Sequence, residues 1–197
     1  MSATVLTMSM SLDGFIAGPN ERLDNGLGDG GHRLHEWIPM DADPHPTAIS
    51  DGVTGVNRQV VDEFMATGAV VAGRGTVEPA GYWGGDHHDG VPIFILSRSK
   101  RDSEWPLVTH VDDVATAMSQ AKRAAGNRNV LVHGAAVAQL ALAAGVLDEL
   151  EIHLVPVLFG QGRRLFDNLP AEQIELERTR ILEGDGGVTH MHYRVRR

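Results

Sequence analysis

The sequence predicts an α/β fold with a mixed, mostly parallel central sheet. Two observations carry that prediction. Short apolar runs of strand length alternate with helix-length segments from Thr4 to Ala144, the pattern of a parallel sheet with crossover helices. Beyond Glu149 the pattern changes to strands with alternating side chains joined by a tight turn, which adds antiparallel strands.

The elements follow in order. Thr4 to Met10 (TVLTMSM) is β-branched and apolar and meets the turn signal Leu12-Asp13-Gly14, so it reads as a buried strand. From Gly18 to Gly55 seven glycines and four prolines leave room for one helical turn, Leu34 to Ile38, in a stretch that reads as a lid or substrate loop. Asn57 to Thr67 places Val60, Val61, Phe64 and Met65 on one helical face, with Gly68 as its stop. Ala69 to Ala72, Val91 to Leu96, Val108 to Val111 and Asn129 to Val132 are strands. Between the last two, Asp112 or Asp113 caps a helix running to about Ala125. Ala135 to Ala144 is an apolar helix stopped by Gly145. Glu149 to Leu158, Ile174 to Glu183 and Val188 to Val195 complete the sheet, the last two joined by Asp185-Gly186-Gly187 as a hairpin. The chain reads as a single domain over residues 1–197, with 18–55 as its long loop.

Composition excludes several functions. The chain has no cysteine, which removes disulfides, thiolate nucleophiles and Cys-ligated zinc. A formal charge of −9 argues against a nucleic-acid footprint. No apolar run is long enough for a bilayer span and no signal-peptide pattern opens the chain, so a cytoplasmic protein is expected. There is no G-x-S-x-G and no P-loop.

Three segments carry chemistry. In Val70 to Thr76 a buried strand ends in Gly73, then offers the Arg74 guanidinium and the Thr76 hydroxyl at the carboxyl edge of the sheet, where ligands of open α/β sheets bind. Ile93 to Lys100 ends in Ser97, Arg98, Ser99 and Lys100, a set suited to a phosphomonoester. Val130 to Gln139 is a strand, a small-residue turn at Gly134-Ala135-Ala136, and a helix N-terminus that favours an anion. The same three segments also read as ordinary polar or tightly packed turns. Gly26 to Gly31 resembles a glycine fingerprint, but no strand precedes it, so it reads as a loop. Of ten histidines, His32, His35, His87 and His88 read as exposed loop residues. His153, His190 and His192 read as strand residues facing solvent or a subunit contact, and no metal ligand set is formed. His133, at a strand tip, could touch a substrate or donate a proton.

These landmarks, Ser11-Leu12-Asp13-Gly14-Phe15-Ile16-Ala17, Ala72-Gly73-Arg74-Gly75-Thr76, Leu96-Ser97-Arg98 and Val132-His133-Gly134-Ala135-Ala136, resemble those of the dihydrofolate reductase-like superfamily in order and spacing. The tail, Gly145 to Ile152, Pro156 to Gly162 and Leu165-Phe166, resembles the C-terminal reductase domain of the bifunctional deaminase-reductases of riboflavin biosynthesis. The resemblance implies a three-layer α/β/α fold and an NADPH-dependent reductase that passes a hydride to a small heterocycle, pterin-, pyrimidine- or flavin-like, as 5-amino-6-(5-phosphoribosylamino)uracil reductase does. It implies that Gly73, Arg74 and Thr76 line the cofactor phosphates and that Ser97 and Arg98 hold the 2′-phosphate. Gly134, Ala135, Ala136, Val137 and Gln139 would cradle the pyrophosphate. It further implies a homodimer around the C-terminal strands. Asp13 and His133 are the candidates for proton donor or substrate anchor. The chain departs from the family where Gly134-Ala135-Ala136 replaces consecutive glycines, a turn at which a cis Gly134–Ala135 bond is expected, and where His133 replaces a glutamate. A catalytically degenerate nucleotide-binding homodimer is the alternative.

Overall fold

Strand β1 (Thr4–Ser11) runs through the middle of the sheet, so both of its faces are covered and all of its side chains except Met10 are buried. In this computed structural model, which describes residues 2–38, 52–99 and 104–196, an eight-stranded sheet is formed around it. Beside β1 lie β6 (Val130–His133) and β7 (Glu149–Val155), both parallel to it. Beyond β6 come β3 (Ala69–Gly73), β4 (Ile93–Leu96) and β5 (Val108–Val111), also parallel. On the other side β10 (Thr189–Val195) runs antiparallel between β7 and β9 (Leu176–Glu183). The expected mixed, mostly parallel sheet is therefore present, with antiparallel pairing confined to the C-terminal strands.

Side chains of period two divide the core between the faces. Leu6, Met8, Ala69, Val71, Val130, Val132, Leu150 and Ile152 pack against α3 (Val114–Ala125) and α4 (Ala135–Ala143). Asp113 caps α3, its carboxylate accepting from Thr116 N at 2.7 Å. The small residues Ala135, Ala138 and Ala141 let α4 lie close to the strands. The opposite face carries Val70, Ala72, Leu131 and Ile93, covered by Val77, Phe64 and Trp83. Further along the same face, Val155 and Val188 pack under Leu34, Trp37, Val60 and Val61. That layer is built from α1 (Gly55–Met65), the short α2 (Arg74–Val77) and two 3-10 turns, Gly31–His35 and Gly81–Gly85.

Two differences from the sequence reading are local. A two-stranded ribbon, β2 (Phe15–Ala17) with β8 (Arg163–Arg164), is too short to leave a periodic signal. The helical turn expected at Leu34 to Ile38 forms earlier, at Gly31–His35, where Gly30 (φ 73°) starts it. Residues 39–51 of the 18–55 loop, and Lys100 of the second cationic segment, lie outside the described residues.

Candidate active site

Chain direction fixes where a site can form. The connection leaving β1 carries α1 over one face toward β3, whereas the connection leaving β6 carries α4 over the other face to β7. The carboxyl ends of β1 and β6 therefore flank the crevice at which open α/β sheets bind ligands.

The three chemistry-bearing segments end side by side there. Gly73 pairs with Leu96, and Ala72 with His133. Arg74 Nε donates to Glu78 at 2.9 Å and its Nη1 reaches Ser99 Oγ at 3.5 Å, linking the first segment to the second. Ser97 is buried, its hydroxyl donating to Ser99 O at 3.0 Å, while Arg98 stands exposed. Gly134 has φ 94° and ψ 152°, and a Cβ there would lie 2.0 Å from Thr76 Oγ1. Ala138 N bonds Gly134 O at 3.1 Å, so the amides of Ala135, Ala136 and Val137 have no partner within α4 and give its N-terminus an anion-binding character.

Some expectations are corrected. The Gly134–Ala135 bond is trans, since no cis peptide occurs among the described residues; the turn is made instead by the positive φ of Gly134. Gln139 spends its side chain on structure, donating to Leu165 O at 2.7 Å and accepting from Asn168 Nδ2 at 3.2 Å. Asp13 is unsuited to donating a proton. The Ser11 hydroxyl at 2.6 Å, helped by the Gly160 and Phe159 amides at 2.7 and 3.1 Å, holds its carboxyl down to about 2. It clamps the turn after β1 to the 158–162 loop. Arg164, which no sequence motif marks, donates to Asp13 O at 2.9 Å and lies 4.4 Å from the Phe15 ring centroid.

The histidines are placed most differently. His35, His88, His153 and His190, expected in solvent or at a subunit contact, line the interior on the α1 side of the sheet. Ser9, His153 and His190 form one cross-strand row over β1, β7 and β10. Trp37 covers that row, with ring centroids 4.6 Å from His153 and 4.8 Å from His190 and its indole N–H donating to Ser9 Oγ at 3.0 Å. His133 sits in the same layer at the tip of β6, facing the rings of His87 at 6.2 Å and Trp83 at 6.3 Å. Burial lowers the pKa of His35, His133 and His190 to about 4 and pushes His87 and His153 well down too. These imidazoles are neutral at physiological pH. Both His35 Nδ1 and His133 Nδ1 are buried without a hydrogen-bond partner. No group of three metal-ligating side chains occurs among the described residues. Asp62 and Glu63, on α1, pair with Arg58 and Arg180.

Comparison with known proteins agrees with this architecture. The profile of the RibD C-terminal domain matches residues 3–190. The chain belongs to the RibD C-terminal domain family. A Shewanella sp. PV-4 protein provisionally assigned to riboflavin biosynthesis is 21% identical, with a TM-score of 0.73 and 99% of each chain covered. A pyrimidine reductase-like protein of Corynebacterium diphtheriae is 13% identical at a TM-score of 0.62, covering 100% of this chain and 92% of that one. The Thermotoga maritima deaminase/5-amino-6-(5-phosphoribosylamino)uracil reductase is 14% identical, with a TM-score of 0.62. This chain is covered over 99% of its length and spans 57% of that bifunctional protein. No protein with a curated function matches the sequence.

Proposed function

We propose that this RibD-type domain is an NADPH-dependent reductase acting on a small heterocycle of the pyrimidine, pterin or flavin type. The observation that carries this reading is the junction at Gly134. Three parallel strand ends, the N-terminus of α4 and the cations Arg74 and Arg98 meet there on one side. The histidine-lined layer begins on the other, at His133.

The residues present fit the dinucleotide. Gly134, having no Cβ, lets the Thr76 hydroxyl close against the turn at the N-terminus of α4, whose first amides are free to meet a phosphate. In this reading Arg98, exposed beside the buried Ser97, would hold a 2′-phosphate, and Arg74 and Thr76 would face the phosphates nearer the turn. Bound there, NADPH supplies the hydride. The chain's own residues orient the acceptor, exclude water and present uncharged imidazoles to it. His133, whose Nδ1 is buried with no hydrogen-bond partner and whose ring is kept neutral by burial, serves as a substrate anchor rather than a proton donor. Neighbours acting on small substrates, and the absence of any described helix long and apolar enough to cross a membrane, accord with a cytoplasmic small-molecule enzyme. We place the homodimer contact at the C-terminal strands, where β9 ends the sheet.

Calorimetric titration tests the assignment. NADPH should bind at least about tenfold more tightly than NADH, the difference expected of one charge-assisted contact. Arg98→Ala should abolish the preference. Equal affinity for the two cofactors overturns the 2′-phosphate site. Loss of NADPH absorbance with an aminopyrimidine, pterin or flavin then separates a reductase from a binding protein without turnover.

A further inference from the structure

Two chains of hydrogen bonds run into the histidine layer from opposite sides, and each has a fixed outer end. On one side Asn57 Nδ2 donates to Trp37 O at 3.0 Å and Asp185 O at 3.2 Å. Two carbonyl acceptors settle the amide orientation, so Asn57 Oδ1 accepts, and the His190 Nε2 at 3.1 Å carries the hydrogen. A neutral His190 then has a bare Nδ1, and the His153 Nδ1 at 2.9 Å must donate to it. That leaves Nε2 of His153 without a proton. On the other side the Thr67 hydroxyl donates to Phe64 O at 2.8 Å. The His88 Nε2, 3.1 Å from Thr67 Oγ1 and 3.3 Å from Thr67 O, therefore carries the hydrogen. His88 Nδ1 accepts from His87 Nδ1 at 2.8 Å, and Nε2 of His87 is left bare.

We propose that these two relays, Asn57–His190–His153 and Thr67–His88–His87, lock His153 and His87 in the tautomer whose Nε2 is a hydrogen-bond acceptor, and that the layer between them takes a neutral heterocycle by an N–H edge. The inference rests on the reading of this layer as the substrate site. His133 and His35 lie between the two ends, and each contributes a buried Nδ1 with no partner. A neutral imidazole normally answers either a donor or an acceptor by changing tautomer. Here the exchange is blocked, because each Nδ1–H is already bonded to the next ring. An oxyanion or carbonyl edge would face bare lone pairs, whereas amino and ring N–H groups would satisfy them. Asn57, His190, Thr67 and His88 are positioning residues, acting through the two inner rings.

Space at the outer end is reserved for the first relay. A Cβ on Gly184 would lie 2.1 Å from Asn57 Oδ1 and 2.6 Å from His190 Nε2. No carboxylate among the described residues hydrogen-bonds His87, His133 or His153, and burial disfavours a charged ring at all three.

Nitrogen-15 NMR of the histidine-labelled protein reads the tautomers without cofactor or substrate. The expected pattern is Nδ1–H on His153 and His87 and Nε2–H on His190 and His88. Nε2–H on His153 or His87 overturns the proposal. In mildly alkaline buffer 2,4-diaminopyrimidine should bind about tenfold or more tightly than 2,4-dimethoxypyrimidine, a neutral ring of similar shape with no N–H, the worth of one satisfied hydrogen bond. Asn57→Leu should bring the two affinities together. Equal or tighter binding of the dimethoxypyrimidine, or no binding of the diaminopyrimidine, also overturns it. If Asn57→Leu does not fold, the wild-type spectrum and the two probes still decide. Neither measurement involves hydride transfer, so the reductase reading can fail while this one stands, and the reverse.

Discussion

Acid should unfold this protein earlier than its carboxylates alone would. His35 and His133 are held neutral by burial, with pKa values lowered to about 4 from an ordinary 6.5. The sign follows from which state takes the proton first. Above pH 6.5 neither state is charged at these sites and their burial carries no electrostatic cost. As pH falls below 6.5 the unfolded chain protonates while the folded one does not, so stability drops until the folded rings titrate near pH 4. At pH 5 each ring accounts for about 2 kcal/mol of lost stability, against a whole-domain stability of about 5–15 kcal/mol. His87, His153 and His190 act in the same direction. Nearby charges divide: Arg180 adds to the effect at His153 and His190, and Glu63 opposes it at His190. Glu151, raised by burial, runs the other way and offsets part of the slope. Asp13 contributes only at more acid pH, since its carboxyl lies near 2. Urea unfolding at pH 7, 6 and 5, followed by Trp37 and Trp83 fluorescence, measures the slope. His133→Gln should remove about one proton from it, or about 1.4 kcal/mol per pH unit. A pH dependence unchanged in His133→Gln would refute the claim that this ring is buried neutral.

Two substitutions test the architecture of the cofactor edge. Gly134→Ala would place a methyl carbon 2.0 Å from Thr76 Oγ1 at a φ of 94°, and a loss of roughly 2–4 kcal/mol by urea unfolding is expected, with weakened NADPH binding. A stable variant with unchanged cofactor affinity would remove the close-approach role of this turn. Gln139→Met should lower stability by about 1–3 kcal/mol, because Leu165 O and Asn168 lose their partner. Cofactor affinity should stay the same, and a fall in affinity without a fall in stability would return Gln139 to the phosphate site.

Much of the sheet was legible because its strands are covered on both faces. Runs such as Ile93 to Leu96 and Val130 to Val132 must be buried whatever their neighbours, and their glycine and serine ends mark the carboxyl edge. The histidine layer was not legible for the complementary reason. In β7 the order Leu150, Glu151, Ile152, His153 alternates, and alternation ordinarily signals one face in water. Here the polar face is roofed by Trp37, Val60 and Val61, which arrive from distant segments. No local pattern reports such a roof. The hint available was that Ser9, His153 and His190 each fall on the polar face of a strand with an apolar opposite face.

The roof itself has a mechanical side. Helix α1 is fastened near both ends to the antiparallel hairpin: Asn57 grips Asp185 O and His190, and Glu63 takes both terminal nitrogens of Arg180. Lifting α1 would tear both fastenings and drag β9 and β10 with it. The opposite wall, the Gly81–Gly85 turn carrying Trp83, is held in another way: Gly81 N bonds Glu78 O, Tyr82 and Trp83 pack on the apolar strand residues, and Trp83 meets the rings of His87 and His133. One wall of the layer is tied by directional polar bonds and the other by apolar area, so cooling weakens the second more than the first.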